Sequence, residues 1–367
     1  MSRSPRSVLE IPTPALVVDV AALDRNIRRM AAFFSTGPCK LRPHFKAHKT
    51  LEIARRQLVA GGCAGLTCAT VAEAEAVAPL GASILVANEP VGPGKGDRLA
   101  ALAGGCEVIV AVDSVAGLEE IAAAARRAGV VLGALVDVNV GHMRCGVLPG
   151  RDAVRLAERV ASTTGVVLRG LMGYEGHLQP IADRADREAR TRHAMGELAD
   201  TARRLREAGL PCEIVSAGGT GTFDVTGRID GVTEIQAGSY VLMDSDYGRL
   251  DLPFEQAFWV LGTVISRPDP SRCVADCGHK AMTKDHGLPT VRGFEGASVV
   301  ALHDEHATIA LPEDVPLSVG DRVYLRPSHA DPTINLHDVL YAIEEDRVVE
   351  VWRIAARGYP EHRRGAP

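Results

Sequence analysis

The feature that most narrows the folds open to this chain is a rhythm. Eight short β-type runs fall at 41–47, 64–69, 83–88, 107–112, 132–140, 168–175, 213–218 and 233–238. Between most of them lie Ala/Arg/Glu-rich segments with helical spacing, such as 114–128 and 184–209. Several runs are almost wholly apolar, as parallel strands covered on both faces must be. Eight βα units in roughly 240 residues is the count of a (β/α)8 TIM barrel. A doubly wound open sheet shares the alternation, but no G-x-G-x-x-G follows a first strand to support it. Ahead of the rhythm, the apolar run 14–20 reads as a strand. Asp19 is placed to cap a helix over 21–34, with Leu23, Ile27, Met30 and Phe34 on one face.

After about residue 250 the texture changes. Strand-like runs such as VLGTVISRP and RVVEVWRIAAR are punctuated by Gly, Pro and Asp, and helical periodicity nearly vanishes. The expected organisation is a barrel over 15–250 and an all-β domain over 251–367, joined by residues 1–14. The 367 residues are 46% apolar and 24% charged, with a net charge of −5. That balance fits a soluble enzyme with a small-molecule substrate and argues against a nucleic-acid partner. No apolar run reaches membrane-spanning length, and MSRSPRSVLEIPTP lacks the apolar centre of a signal peptide, so the cytoplasm is the expected compartment. Eight cysteines are too sparse for a disulfide framework in a chain this long. No second Cys/His pair stands near Cys273, Cys277 and His279 to complete a zinc site.

Candidate chemistry gathers where barrel strands end. Leu41–Thr50 carries His44, Lys46, His48 and Lys49. A basic surface loop would look the same, but a partly desolvated lysine at a strand's end can form a Schiff base with a carbonyl. Strand seven runs into Ser216-Ala-Gly218-Gly219-Thr220, and strand eight into Gln236-Ala-Gly238-Ser239-Tyr240. Glycine amides and hydroxyls there suit a phosphate. A lysine and a phosphate cradle in one barrel suggest pyridoxal 5'-phosphate. Arg144, beyond strand five, is a candidate for the cofactor's phenolate oxygen, and Tyr174, at the end of strand six, for its ring. Farther on, His329 and Asp331 are two apart, so an extended backbone would point both the same way. An imidazole and a carboxylate suit Mn²⁺ or Mg²⁺.

Taken together, TPALVVDVAALDRNI, LRPHFKAHKT, GYEGH, SAGGTGTF, IQAGSYVLMD and PSHADPTINLHD resemble the D-threonine aldolase and D-serine dehydratase family, which shares the alanine racemase fold. The resemblance runs over nearly the whole chain. It implies that Lys46, not Lys49, carries the cofactor, that His329 and Asp331 hold the metal, and that the chain forms a homodimer. The dehydratases of the group resemble this motif but carry cysteine where this chain has Asp331, which tilts the expectation towards an aldolase cleaving D-β-hydroxy-α-amino acids to glycine and an aldehyde. The proton acceptor is expected to be metal-bound hydroxide, His48 or His177. A dehydratase and a non-catalytic cofactor-binding protein are the alternatives.

Overall fold

The computed structural model describes residues 5–358, so residues 1–4 and 359–367 of the expected β domain lie outside the described residues. The chain divides into two units.

One unit takes residues 30–46 and 53–238. Its parallel strands follow the order Lys40–Leu41, Glu234–Ile235, Ile214–Ala217, Val166–Gly173, Leu132–Asp137, Val108–Val112, Ile84–Val86 and Leu66–Cys68. Single bridges, Leu41 to Cys63 and His44 to Thr67, tie the last strand back to the first. The strands are apolar on both faces: every residue of Val108–Val112 is buried. Leu85, Ile109, Leu135, Met172 and Ile214 form one packed layer, each contributing about 1.5–3 kcal/mol on burial. Thr70, Ser114 and Asp183 cap the helices that follow with side-chain oxygens, satisfying N–H groups a helix leaves bare. The Arg42–Glu234 ion pair joins first strand to eighth at 2.8 Å, both side chains buried. Gly65, at φ +148, lies so close to Ser83 O that a Cβ would stand 2.2 Å from it.

The expected strand 41–47 is shorter than its sequence suggests. Only Lys40–Leu41 pairs as a strand, and Phe45–Ala47 is a 3-10 turn. Pro43 has no N–H to donate to a ladder, so pairing past Leu41 continues only as single bonds, among them His44 N–H to Ala237 O. Lys46 therefore sits in a tight turn beyond the strand.

The other unit takes residues 5–29, 47–52 and 239–358. Its nine-stranded sheet is ordered Arg272–Ala275, Ala307–Ala310, Ser298–Leu302, Thr290–Val291, Arg322–Arg326, Phe258–Asp269, Ala15–Asp19, Val339–Glu344 and Arg347–Arg353. Phe258–Asp269 also pairs with Arg272–Ala275, so six strands close on themselves. Register shifts after Val264 and Ser266 let that long strand bend round. Ala15–Asp19, expected at the start of the barrel segment, belongs here instead. It is antiparallel to Phe258–Asp269 and parallel to Val339–Glu344. A run buried on both faces reads the same in either sheet, and only distant partners decide between them.

Candidate active site

Two lysines compete for one role at the start of the barrel. Lys49 Nζ donates to Asn335 Oδ1 and to Ala356 O, each at 3.1 Å, and its backbone adopts φ 49. Its amine is thus tied to two oxygens of the β unit. Lys46 belongs to the barrel unit and is half-buried, and its N–H lies 3.4 Å from His44 Nδ1. His48 is fully buried in the β unit, where its Nδ1 accepts the Thr50 N–H at 3.1 Å.

Strands five and six of the barrel unit bring a second group together. The Arg144 guanidinium lies 5.7 Å from the centre of the Tyr174 ring. His142 meets Tyr174 edge-on at 5.7 Å and stacks on His177 at 5.8 Å. Glycine at 176 permits this crowding, since a Cβ there would stand 2.6 Å from the Tyr174 ring. Burial holds the His142 imidazole below its ordinary value, helped by the Arg144 charge and by the neighbouring His177. His177 is likewise lowered, by burial and then by Arg190, against the pull of Glu175. Both rings are therefore neutral at neutral pH. His142 Nδ1 is buried with no hydrogen-bond partner among the described residues.

The glycine turn after strand seven differs from expectation. Its amides were expected to face an anion, but three of them bond inside the protein. Gly218 N–H donates to Glu175 Oε2 at 3.0 Å, Gly219 N–H to Thr222 Oγ1 at 3.3 Å, and Gly221 N–H to Gln179 Oε1 at 2.7 Å. Glu175 is wholly buried and also accepts the Thr222 and Thr226 hydroxyls, each at 2.7 Å. Glu175 and Gln179 thus clamp the turn from within. Neither stood among the sequence candidates, although Glu175 lies inside the GYEGH motif, one residue from Tyr174. Ser216 is buried and accepts from Gln236 Nε2 at 2.9 Å, which leaves its hydroxyl proton to donate elsewhere. Thr220 is buried. Gly238 closes the barrel unit; Ser239 and Tyr240 fall in the β unit, where Tyr240 is buried with Phe254 5.5 Å away.

An amine in a turn, a phenol, a guanidinium, buried hydroxyls and an imidazole nitrogen without a partner form a donor set that fits a planar, anionic, carbonyl-bearing cofactor. Beside it lies an acidic group that sequence reading missed. Glu89, Asp113 and Cys145 place ligand atoms within 4.8 Å of one another. Asp137 is pushed up to about 8, chiefly by burial and then by Glu89, while Arg144 pulls it down.

In the β unit, Asp285, His286 and His329 place ligand atoms within 4.8 Å of one another. His329 Nδ1 lies 2.7 Å from Asp285 Oδ2, and His286 Nδ1 lies 3.0 Å from Asp246 Oδ2. The two imidazoles stack at 4.3 Å, only 11° from parallel. An imidazole of this group suits a divalent cation. Asp331 is not one of this trio. The extended-strand argument for it does not hold: His329 is extended, but Ala330–Ile334 is helical and Asp331 lies in its first turn. Asp244 Oδ2 accepts the Ala330 N–H at 2.9 Å, pinning the backbone between His329 and Asp331. Asp285, His286, Asp244 and Asp246 escaped the sequence reading because they lie more than forty residues from the H-x-D motif.

A parallel eight-strand unit with a lysine beyond its first strand, and an antiparallel β-barrel unit in the same chain, define the alanine racemase-like fold. Residues 18–246 match the family described as alanine racemase, N-terminal domain, and residues 257–343 match a putative serine dehydratase domain; the chain belongs to this alanine racemase-like family. The family's cofactor is pyridoxal 5'-phosphate. The chain is 39% identical to a D-threonine aldolase of an Arthrobacter species, over 95% of this chain and 93% of that one. It is 36% identical to a 3-hydroxy-D-aspartate aldolase of Paracoccus denitrificans, with the same coverage. The crystal structure of a D-threonine aldolase from Filomicrobium marinum superposes with a TM-score of 0.94 at 37% identity, covering 97% of this chain and 98% of that one.

Proposed function

We propose that this chain is a lyase that uses pyridoxal phosphate and a divalent cation to cleave D-β-hydroxy-α-amino acids into glycine and an aldehyde. The observation that carries the reading is likeness to two aldolases acting on such substrates over nearly the full length of each chain. The resemblance implies cysteine at this place in the dehydratase branch, so the carboxylate at 331 supports the same choice.

Lys46 would hold the cofactor's aldehyde carbon, as its place in the LRPHFKAHKT motif implies. Arg144 would neutralise the phenolate oxygen, and Tyr174 would face the ring. Ser216, Gly218, Gly219, Thr220, Gln236, Gly238, Ser239 and Tyr240 make up the phosphate end; the bonds that Gly218 and Gly219 make within the protein give them a shaping role there. When bound, the cofactor supplies a ring that accepts the electron pair of the broken Cα–Cβ bond. His329 and Asp331 would hold the cation, Mn²⁺ or Mg²⁺, which would supply Lewis-acid polarisation of a hydroxyl oxygen there. His177 accepts the hydroxyl proton. Its lowered pKa leaves the ring nitrogen free at neutral pH, and it is more exposed than His48.

Two structural points bear on where and how the protein works. The eight cysteines are all free thiols, as suits a reducing, cytoplasmic compartment. Among the described residues no helix is long and apolar enough to cross a membrane. A homodimer is the assembly proposed, on the resemblance alone.

A dehydratase is the second reading, favoured by the domain matched at 257–343. Products separate the two. Incubation with D-threonine gives glycine and acetaldehyde from an aldolase, and 2-oxobutanoate and ammonia from a dehydratase. A panel of D-threonine, D-3-hydroxyaspartate and D-phenylserine, with and without chelator, names the aldehyde and tests the cation together. Cleavage that proceeds undiminished in chelator refutes the metal role.

A further inference from the structure

We propose that Asp285 is a positioning residue for the cation: it fixes the His329 imidazole in the one tautomer that leaves Nε2 bare for the metal. The inference rests on the metal role given to His329 above. It adds a residue that lies outside the H-x-D motif and is separated from it by more than forty positions.

An ionised carboxylate only accepts hydrogen bonds. Asp285 Oδ2 lies 2.7 Å from His329 Nδ1, so Nδ1 carries the proton and the lone pair resides on Nε2. The carboxylate is itself held in place. Its Oδ1 accepts the Thr283 hydroxyl at 2.8 Å, and the Asp285 N–H returns to Thr283 Oγ1 at 3.2 Å. The ring is held as well. His286 lies flat against it at 4.3 Å and is itself fixed through Nδ1 to Asp246. One turn, 283–286, thus supplies both the acceptor for the His329 ring and the surface it rests on. Metal-bound histidines generally donate their other N–H to a carboxylate, which sets the ring's orientation and raises its basicity as a ligand.

The test is a Mn²⁺ titration by calorimetry on full-length, cofactor-loaded protein stripped of metal. It compares the parent with His329→Ala, Asp285→Ala and Asp285→Asn. Cofactor absorbance is followed in parallel as the check on folding. His329→Ala is expected to abolish tight binding. Asp285→Ala is expected to weaken Mn²⁺ affinity by about 10- to 100-fold with the absorbance unchanged. Asp285→Asn, which retains an acceptor without the charge, is expected between Asp285→Ala and the parent. An affinity for Asp285→Ala within about twofold of the parent overturns the inference. So does a loss as complete as that of His329→Ala, because Asp285 would then be a ligand and not a positioning group. Retention of tight Mn²⁺ binding by His329→Ala overturns the metal role of His329 and this inference with it.

Discussion

The two units build their candidate sites by opposite means. In the barrel unit the polar groups are buried and face inward: Glu175 collects one backbone amide and two hydroxyls, and Gln179 binds at both ends of its amide. In the β unit the grouped donors are half-exposed, with Asp285 at 43% and His329 at 27%. They come from irregular turns and are steadied by neighbouring side chains. A site fixed through backbone amides on a rigid scaffold is hard to disturb by a single side chain, unless that side chain is the buried clamp itself. A site made of exposed side chains depends on each partner separately and gains its order from the ion it binds.

The largest expected effect tests the barrel unit. Lys46→Ala should remove the visible absorbance of lysine-bound cofactor and lower turnover by at least about a thousandfold, the scale on which removal of a covalent catalytic group acts. Absorbance that persists unchanged would transfer the role to Lys49. Next comes the β unit: Asp331→Ala should keep that absorbance and lose about a hundredfold or more in kcat, the order expected when a metal no longer polarises its oxygen. Retention of full activity there would leave Asp331 a structural residue.

Smaller changes sharpen the contrast. Glu175→Gln presents an amide where three donors converge, and should cost about 2 kcal/mol in denaturant unfolding while weakening cofactor affinity. An unchanged unfolding midpoint would show that the clamp is dispensable. Lys49→Ala removes two hydrogen bonds in the β unit, and its expected cost is about 1–2 kcal/mol with cofactor absorbance intact. The pH dependence is the mildest test. Because the folded protein lowers the His177 pKa, the imidazole remains unprotonated further into acid than an ordinary histidine. The acid limb of kcat/KM should then fall below about pH 6.5, and His177→Ala should abolish that limb. A limb at or above the ordinary histidine value would exclude His177 as the proton acceptor.

The barrel was legible because each βα unit is local: strand, cap and helix lie within about thirty residues of one another, as at Val108–Val112, Ser114 and Val115–Ala128. The β unit was legible only as a change of texture. The partners of Ala15–Asp19 lie more than two hundred residues away, so nothing in that run reveals its sheet. The same holds for the sites. Lys46, Arg144, Tyr174 and His329, the residues proposed for the sites, stood out by motif. Glu175, His142 and Asp285 did not, because a carboxylate or imidazole acquires its role from what faces it.

The sequence by itself determined the repeat that makes the barrel and the change of texture that follows it, and it supplied the residues proposed to carry a carbonyl cofactor and a cation; the barrel unit itself ends at Gly238. Side-chain chemistry and period are local properties, written in order along the chain. Only the tertiary structure decided what the Lys49 amine bonds, which amides of the glycine turn bond inward, and which carboxylate faces His329. Each depends on an approach between distant segments, and distance in space is set by packing rather than by position in the chain.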